Sequence, residues 1–268
     1  MLRKLLKYEL KGTARYFLPL FAAIVLLSAL NRMFGGVYGQ GMRWINGLLI
    51  FIEVILIIGL AVMVFVITIL RFYKNLLGNE GYLMFTLPVS ARHNILSKLI
   101  AAMMWNIGAL LTIALSVTIM SWRAADIAPL INFLWQNLVR VLRMQNIHVA
   151  LMLVGWAIVC LISVTGSILS LYLAMSIGQL ANNHKFLASF GAYLGIQSIT
   201  SVLTSAIGSI ITALPAEWLS GITLWFHSLS VAAIARLATL GVAAAAIVGC
   251  VVYYLITLWL LEHKLNLT

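Results

Sequence analysis

The sequence predicts an all-α integral membrane protein, one transmembrane domain of six helices spanning residues 1–268. Hydrophobic residues make up 63% of the chain and charged residues only 9%, far from the balance of a soluble domain. Six apolar stretches each approach the roughly 20 residues that a helix needs to cross ~30 Å of hydrocarbon. The segments that join them hold most of the Lys and Arg.

Residues 1–16 come first. In MLRKLLKYELK, Leu2, Leu5, Leu6 and Leu10 alternate with Arg3, Lys4, Lys7 and Lys11. That pattern predicts a basic amphipathic helix lying in the membrane interface, with Pro19 turning the chain inward. The first span follows from about Phe17 to Phe34. It is the weakest of the six, because its uninterrupted apolar run ends at Leu30 and Arg32 must snorkel to the headgroups. Ser28-Ala29-Leu30 puts a large residue where signal peptidase wants a small one, so a retained helix is expected rather than a cleaved signal.

The second span, about Leu48 to Leu70, carries Glu53, read as the one acid inside a span. Charge in hydrocarbon is expensive and marks a partner or a pathway. Either the acid sits near outer-leaflet water or pairs with Arg43 or Arg32, or it meets a cationic substrate. Residues 71–98 are too polar and too long for a simple connection. Phe72, Leu76, Leu83 and Met84 against Arg71, Lys74, Asn75 and Asn79 predict a surface helix, bent where Gly78 and Gly81 bracket Glu80. Leu87-Pro88 breaks it, and Ser90 caps a helix leading through Lys98 into the third span, about Leu99 to Ser121.

Residues 124–148 predict a second interfacial helix on the outer side, because Asn132, Gln136, Arg140 and Arg143 recur at helical spacing among Leu, Phe, Trp and Val. The fourth span, about Val149 to Met175, carries Ser163, Gly166, Ser167 and Ser170, and a short turn from Gly178 to Phe190 leads to the fifth, about Leu187 to Leu214. There Gln197, Ser201, Thr204, Ser205, Gly208 and Thr212 share one face. Small and hydroxylated residues let membrane helices pack closely, or line a pathway or a dimer interface. Residues 214–236, with Trp218 and Trp225, read as short extracellular helices before the sixth span, about Leu237 to Leu261.

Lys and Arg counted by segment favour the terminal side. Arg3, Lys4, Lys7, Lys11, Arg15, Arg71, Lys74, Arg92, Lys98, Lys185 and Lys264 lie there, against Arg32, Arg43, Arg123, Arg140, Arg143 and Arg236 opposite. The positive-inside rule then puts both termini in the cytoplasm of a plasma-membrane protein. The net charge of +11 is spread over loop ends, which fits anionic lipid and not nucleic acid. Cys160 and Cys250 fall inside spans and read as packing residues. His93, His148, His184, His227 and His263 lie in loops or at span ends, so no metal site is expected. HExxH, GxSxG and paired carboxylates are absent. So is GxxxxGK[ST], so any ATP must be held by another chain.

The run FYKNLLGNEGYLMFTLPVSARHNILSKL resembles the segment between the second and third helices of ABC-2 type transporter permeases, above all their short Firmicutes branch. There an acidic-Gly-Tyr-Leu-x-Phe-x-Leu-Pro-Val-Ser string precedes a Ser-Lys pair at the start of helix three. The basic leader is similar too. The resemblance implies that the leader is a connecting helix and that residues 71–98 hold a coupling helix for a separate cytoplasmic ATPase. It gives Lys74, Asn75, Gly78, Glu80, Gly81, Tyr82, Phe85 and Pro88 as the docking surface. Two copies of that ATPase would hold ATP and Mg, this chain binding no cofactor, and a second permease, identical or homologous, would complete the exporter. Glu53 and the face of Gln197, Ser201, Thr204, Ser205 and Gly208 would line the substrate pathway or the dimer interface. The cargo implied is an amphipathic or antimicrobial peptide of the phenol-soluble modulin class. The alternatives are a stand-alone secondary transporter, a membrane-embedded enzyme and a non-transporting scaffold.

Overall fold

A backbone in hydrocarbon must satisfy its own hydrogen bonds, which a helix does within one segment. The structure, a computed structural model, describes residues 2–34, 43–74, 91–121, 127–144, 149–181, 184–213 and 228–263. These form α1 (Leu2–Phe34), α2 (Arg43–Phe72), α3 (Ala91–Ser121), α4 (Ile127–Met144), α5 (Val149–Gly178), α6 (Lys185–Ala213) and α7 (Val231–His263). All but α4 are long and apolar enough to cross a membrane. The chain divides into two units, Met1–Gln136 and Asn137–Thr268.

In the first unit α1 packs against both α2 and α3. The pairs Glu9 with Lys98, Thr13 with Trp105 and Ser28 with Ser116 advance together along α1 and α3, so these helices run parallel. Glu53 meets Ser28 and Arg71 meets Glu9, so α2 runs antiparallel to them. Between the polar ends lies a core of Phe17, Ile24, Leu60, Val64 and Ala109, with Phe21 and Trp105 packed against it. Trp105 stacks on Phe17 at a centroid distance of 4.6 Å.

The expected turn at Pro19 is not made: the leader and the first span are one helix with Pro19 inside it. Proline removes one backbone donor, a loss that spanning helices tolerate when neighbours hold them. Here the buried residues Glu9, Thr13, Phe17, Ile24, Ser28 and Asn31 form one seam along the whole of α1. The leader's contacts are therefore those of the span, and packing keeps the helix continuous through the proline.

In the second unit α5 packs against α6 and α7. Cys250 donates its thiol to the Ile162 carbonyl at 3.5 Å and lies against Gly166, so it packs as expected. The Thr200 and Tyr253 hydroxyls are 2.9 Å apart, tying α6 to α7. Ser230 caps α7, its hydroxyl and carbonyl both accepting from the Ala233 amide. The last helix thus begins before the expected Leu237 and takes in Arg236. On α4, Asn132, Gln136, Arg140 and Arg143 are all exposed, while Leu138 packs with Ala232, Val149, Met152 and Ala235. Residues 214–227, with Trp218 and Trp225, lie outside the described residues.

Candidate functional site

The chemistry-bearing residues of the first unit gather in two polar layers at opposite ends of the α1–α2–α3 core. Helical rise separates Glu53 from Arg71 on α2 by ~27 Å, and the same spacing holds for Ser116 and Lys98 on α3. That is close to the ~30 Å of a hydrocarbon core.

The first layer is built on Glu53, which is only 1% exposed. Its Oε1 accepts from the Ser28 hydroxyl at 2.5 Å and the Ser116 hydroxyl at 2.6 Å, and the Asn31 amide lies 3.4 Å from Oε2. Ser28 and Ser116 are themselves 2.9 Å apart. Three helices thus converge on one carboxyl group. Ser28 and Asn31 stand one turn apart on the same face of α1, which lets both reach across to α2. Outer-leaflet water, expected beside this acid, is replaced by buried hydroxyls. Among the described side chains its partners are neutral; the Arg43 side chain lies outside that set.

The second layer is centred on Glu9. Its Oε1 accepts from Lys98 Nζ at 2.5 Å, and Arg71 lies 3.6 Å from Oε2. Lys98 is 3% exposed, so it is an interior ion-pair partner and not a loop charge. Glu9 corrects the expectation that Glu53 is the one acid within a span, since α1 is a span from Arg3 to Met33. Glu262, exposed in the last turn of α7, lies within a span as well. Beside the Glu9 pair, Thr13 donates to the Glu9 carbonyl at 2.8 Å, and the Trp105 indole donates to Thr13 at 2.7 Å. The Arg71 guanidinium lies on Gly12, where a methyl group would meet its Nη2 at 2.7 Å. A buried pair of this kind is held by geometry and extra hydrogen bonds, which offset its desolvation.

Comparison with protein-family models, curated proteins and solved structures finds no match to this chain. None of them identifies a family, so the expected ABC-2 likeness has only the sequence behind it. Lys74, two residues past the end of α2, is exposed; Asn75, Gly78, Glu80, Gly81, Tyr82, Phe85 and Pro88 lie outside the described residues.

The face of α6 is described in full except for the Thr212 side chain. Gln197, Ser201, Thr204, Ser205 and Gly208 are all exposed. Thr204 donates to the Thr200 carbonyl and Ser205 to the Val202 carbonyl of their own helix, and, its chain neighbours and own helix backbone aside, no atom of the described residues lies within 4 Å of a methyl group built on Gly208. These two hydroxyls are thus satisfied without a helix partner. On α5, Ser170 is buried and Gly166 touches Cys250, whereas Ser163 and Ser167 are exposed. The described residues contain no His, Cys, Asp and Glu group able to hold a metal ion.

Sequence reading missed Glu9, Ser28, Asn31 and Ser116. One signal was present: Glu9 is the single acid in a leader of five basic residues, an odd choice unless it meets a cation. Ser28 and Asn31 gave none, because isolated polar residues in a span are ordinary.

Proposed function

We propose that this chain is the membrane-spanning permease subunit of an ATP-driven exporter, working as a dimer with two copies of a separate cytoplasmic ATPase. The observation that carries the reading is the Glu80-Gly81-Tyr82-Leu83-x-Phe85-x-Leu87-Pro88-Val89-Ser90 string, placed between the second and third of six spanning helices. Its position supports a coupling role on mechanical grounds. The flanking ends of α2 and α3 are joined to α1 through Arg71, Lys98 and Glu9, so force applied to segment 71–98 is passed to three helices at once. At the far end Glu53 ties the same three helices together. A ligand or nucleotide state then acts by favouring one arrangement of that unit over another. The cargo we assign is an amphipathic peptide, for which an uncharged, hydroxyl-bearing face such as that of α6 is suited. ATP and Mg belong to the partner.

The test is purification of the tagged chain from its native membranes in mild detergent, with co-purifying proteins identified by mass spectrometry. A stoichiometric protein with a Walker A motif is expected, and it should be lost when Lys74 to Pro88 is scrambled and weakened in Glu80→Ala. No such protein with the chain still folded would remove the reading. A stand-alone secondary transporter would then come first, because Glu53 is a buried intramembrane acid with neutral described partners, the feature such transporters use for ion coupling.

A further inference from the structure

A groove of about 540 Å³ runs between α1 and α2, next to the Glu9 layer. Its wall is apolar, formed by Met63, Ile67 and Leu70 of α2, and Tyr16 of α1, Arg71 and Lys74 stand at the same site. Helical spacing orders the α2 residues along the groove: Met63, Ile67 and Leu70 follow at intervals of four and three and so lie on one face. The apolar part lies toward the middle of the span; Arg71 lies in the last turn of α2, and Lys74 follows two residues past its end.

Among the described residues the charges do not cancel. Glu9 takes its 2.5 Å partner from the buried Lys98, which leaves the more distant Arg71, with its side chain 31% exposed, and the exposed Lys74 as surplus positive charge at the groove. Tyr16 is 50% exposed and offers a hydroxyl donor beside them. A helix C-terminus by itself repels an anion, so recognition here rests on the side chains. Two cations and a phenol at the level of the headgroups, above a wall for hydrocarbon, match one ligand shape. That shape is a phosphodiester headgroup joined to acyl chains.

We propose that the α1–α2 groove is a binding site for an anionic phospholipid, its phosphate held by Arg71 and Lys74 with Tyr16, and an acyl chain lying along Met63, Ile67 and Leu70. The site is independent of the exporter reading: it requires only that α1 and α2 span a bilayer. It makes the Glu9 layer sensitive to membrane composition, because a phosphate on Arg71 competes with Glu9 for the same guanidinium.

The experiment is native mass spectrometry of the delipidated full-length protein titrated with phosphatidylglycerol or with phosphatidylcholine. Phosphatidylglycerol adducts should outlast phosphatidylcholine adducts at rising collision energy. Lys74→Gln should lower phosphatidylglycerol affinity about fivefold, the effect of one basic residue at an anionic surface. Leu70→Trp, which fills the groove and leaves both charges, should lower it as well. Lys74 and Leu70 are both exposed and stand outside the apolar core, so neither change attacks it. Glycerol phosphate without acyl chains should compete poorly; if it competes as well as the lipid, the site is a simple anion site and the proposal fails. Equal retention of the two lipids, or unchanged affinity in both variants, would also overturn it. Recovery of an ATPase partner bears on neither result.

Discussion

Glu9 and Lys98 show how much one pair of residues can decide. Both are buried, and each stabilises the other only while both are charged and in place. Removing one partner takes the nearest counter-charge from the other, leaving Glu9 with the more distant Arg71 at 3.6 Å, whereas removing both leaves apolar contact. Lys98→Met should therefore destabilise the protein by about 3–5 kcal/mol, read as a shift of the unfolding midpoint in mixed micelles. The double variant Glu9→Leu with Lys98→Met should recover most of that loss, because Arg71 is exposed enough to reach the headgroups once Glu9 is gone. A double variant no better than Lys98→Met alone would show that the pair is not the source of the stability. Neither residue was legible as buried. Lys98 lies on the helix expected ahead of the third span, where charge counting groups it with the loop, and only the packing of α3 on α1 shows that it meets Glu9.

Among the elements, the α5–α6 connection carries the tightest backbone contact described. A methyl group on Gly178 would lie 2.6 Å from the Ser189 amide nitrogen and Cα, and 2.0 Å from its Oγ. Glycine lets the start of α6 fold back onto the end of α5 at that point. The Leu180 and Ala181 amides donate to the Ile177 and Gly178 carbonyls, closing the last turn of α5. Because two of the three contacts are backbone, Gly178→Ala cannot be absorbed by a rotamer change. It should cost about 1–3 kcal/mol, measured as a fall in the detergent melting temperature. Gly208→Ala, with open space around it, is the control and should leave the melting temperature unchanged or raise it slightly. The helices themselves were plain in the sequence, since an apolar run of about 20 residues has no other way to sit in hydrocarbon. Their ends were plain only in part: α1 absorbs the leader and α7 takes in Arg236, whereas the helix expected to follow Ser90 and lead through Lys98 does begin at Ala91. A polar residue extends a span or begins a loop depending on whether a neighbouring helix covers it.

For the whole molecule, orientation is a consequence of charge counting. With Lys98 interior, the terminal side keeps ten cations, five in the leader and Arg71, Lys74, Arg92, Lys185 and Lys264, against six opposite. Positive-inside asymmetry still favours cytoplasmic termini. Single-cysteine reporters at Leu2 and Thr268, with Cys160 and Cys250 replaced, should be labelled by an impermeant maleimide only after the cells are opened. A reporter at Gln145 should be labelled in intact cells; the reverse pattern would invert the protein and place segment 71–98 away from any cytoplasmic ATPase.

Composition and the lengths of the hydrophobic runs are enough to establish the class of this protein, its all-helical character and the number of helices able to span a membrane. These follow from the bilayer, which imposes one solution on any apolar segment of that length. Packing between helices is what establishes that Pro19 does not turn the chain, that Glu53 is enclosed by Ser28, Asn31 and Ser116, and that Glu9 holds Lys98 in the interior. Those are properties of contacts between α1, α2 and α3. A polar side chain in a span carries no mark of which helix will meet it.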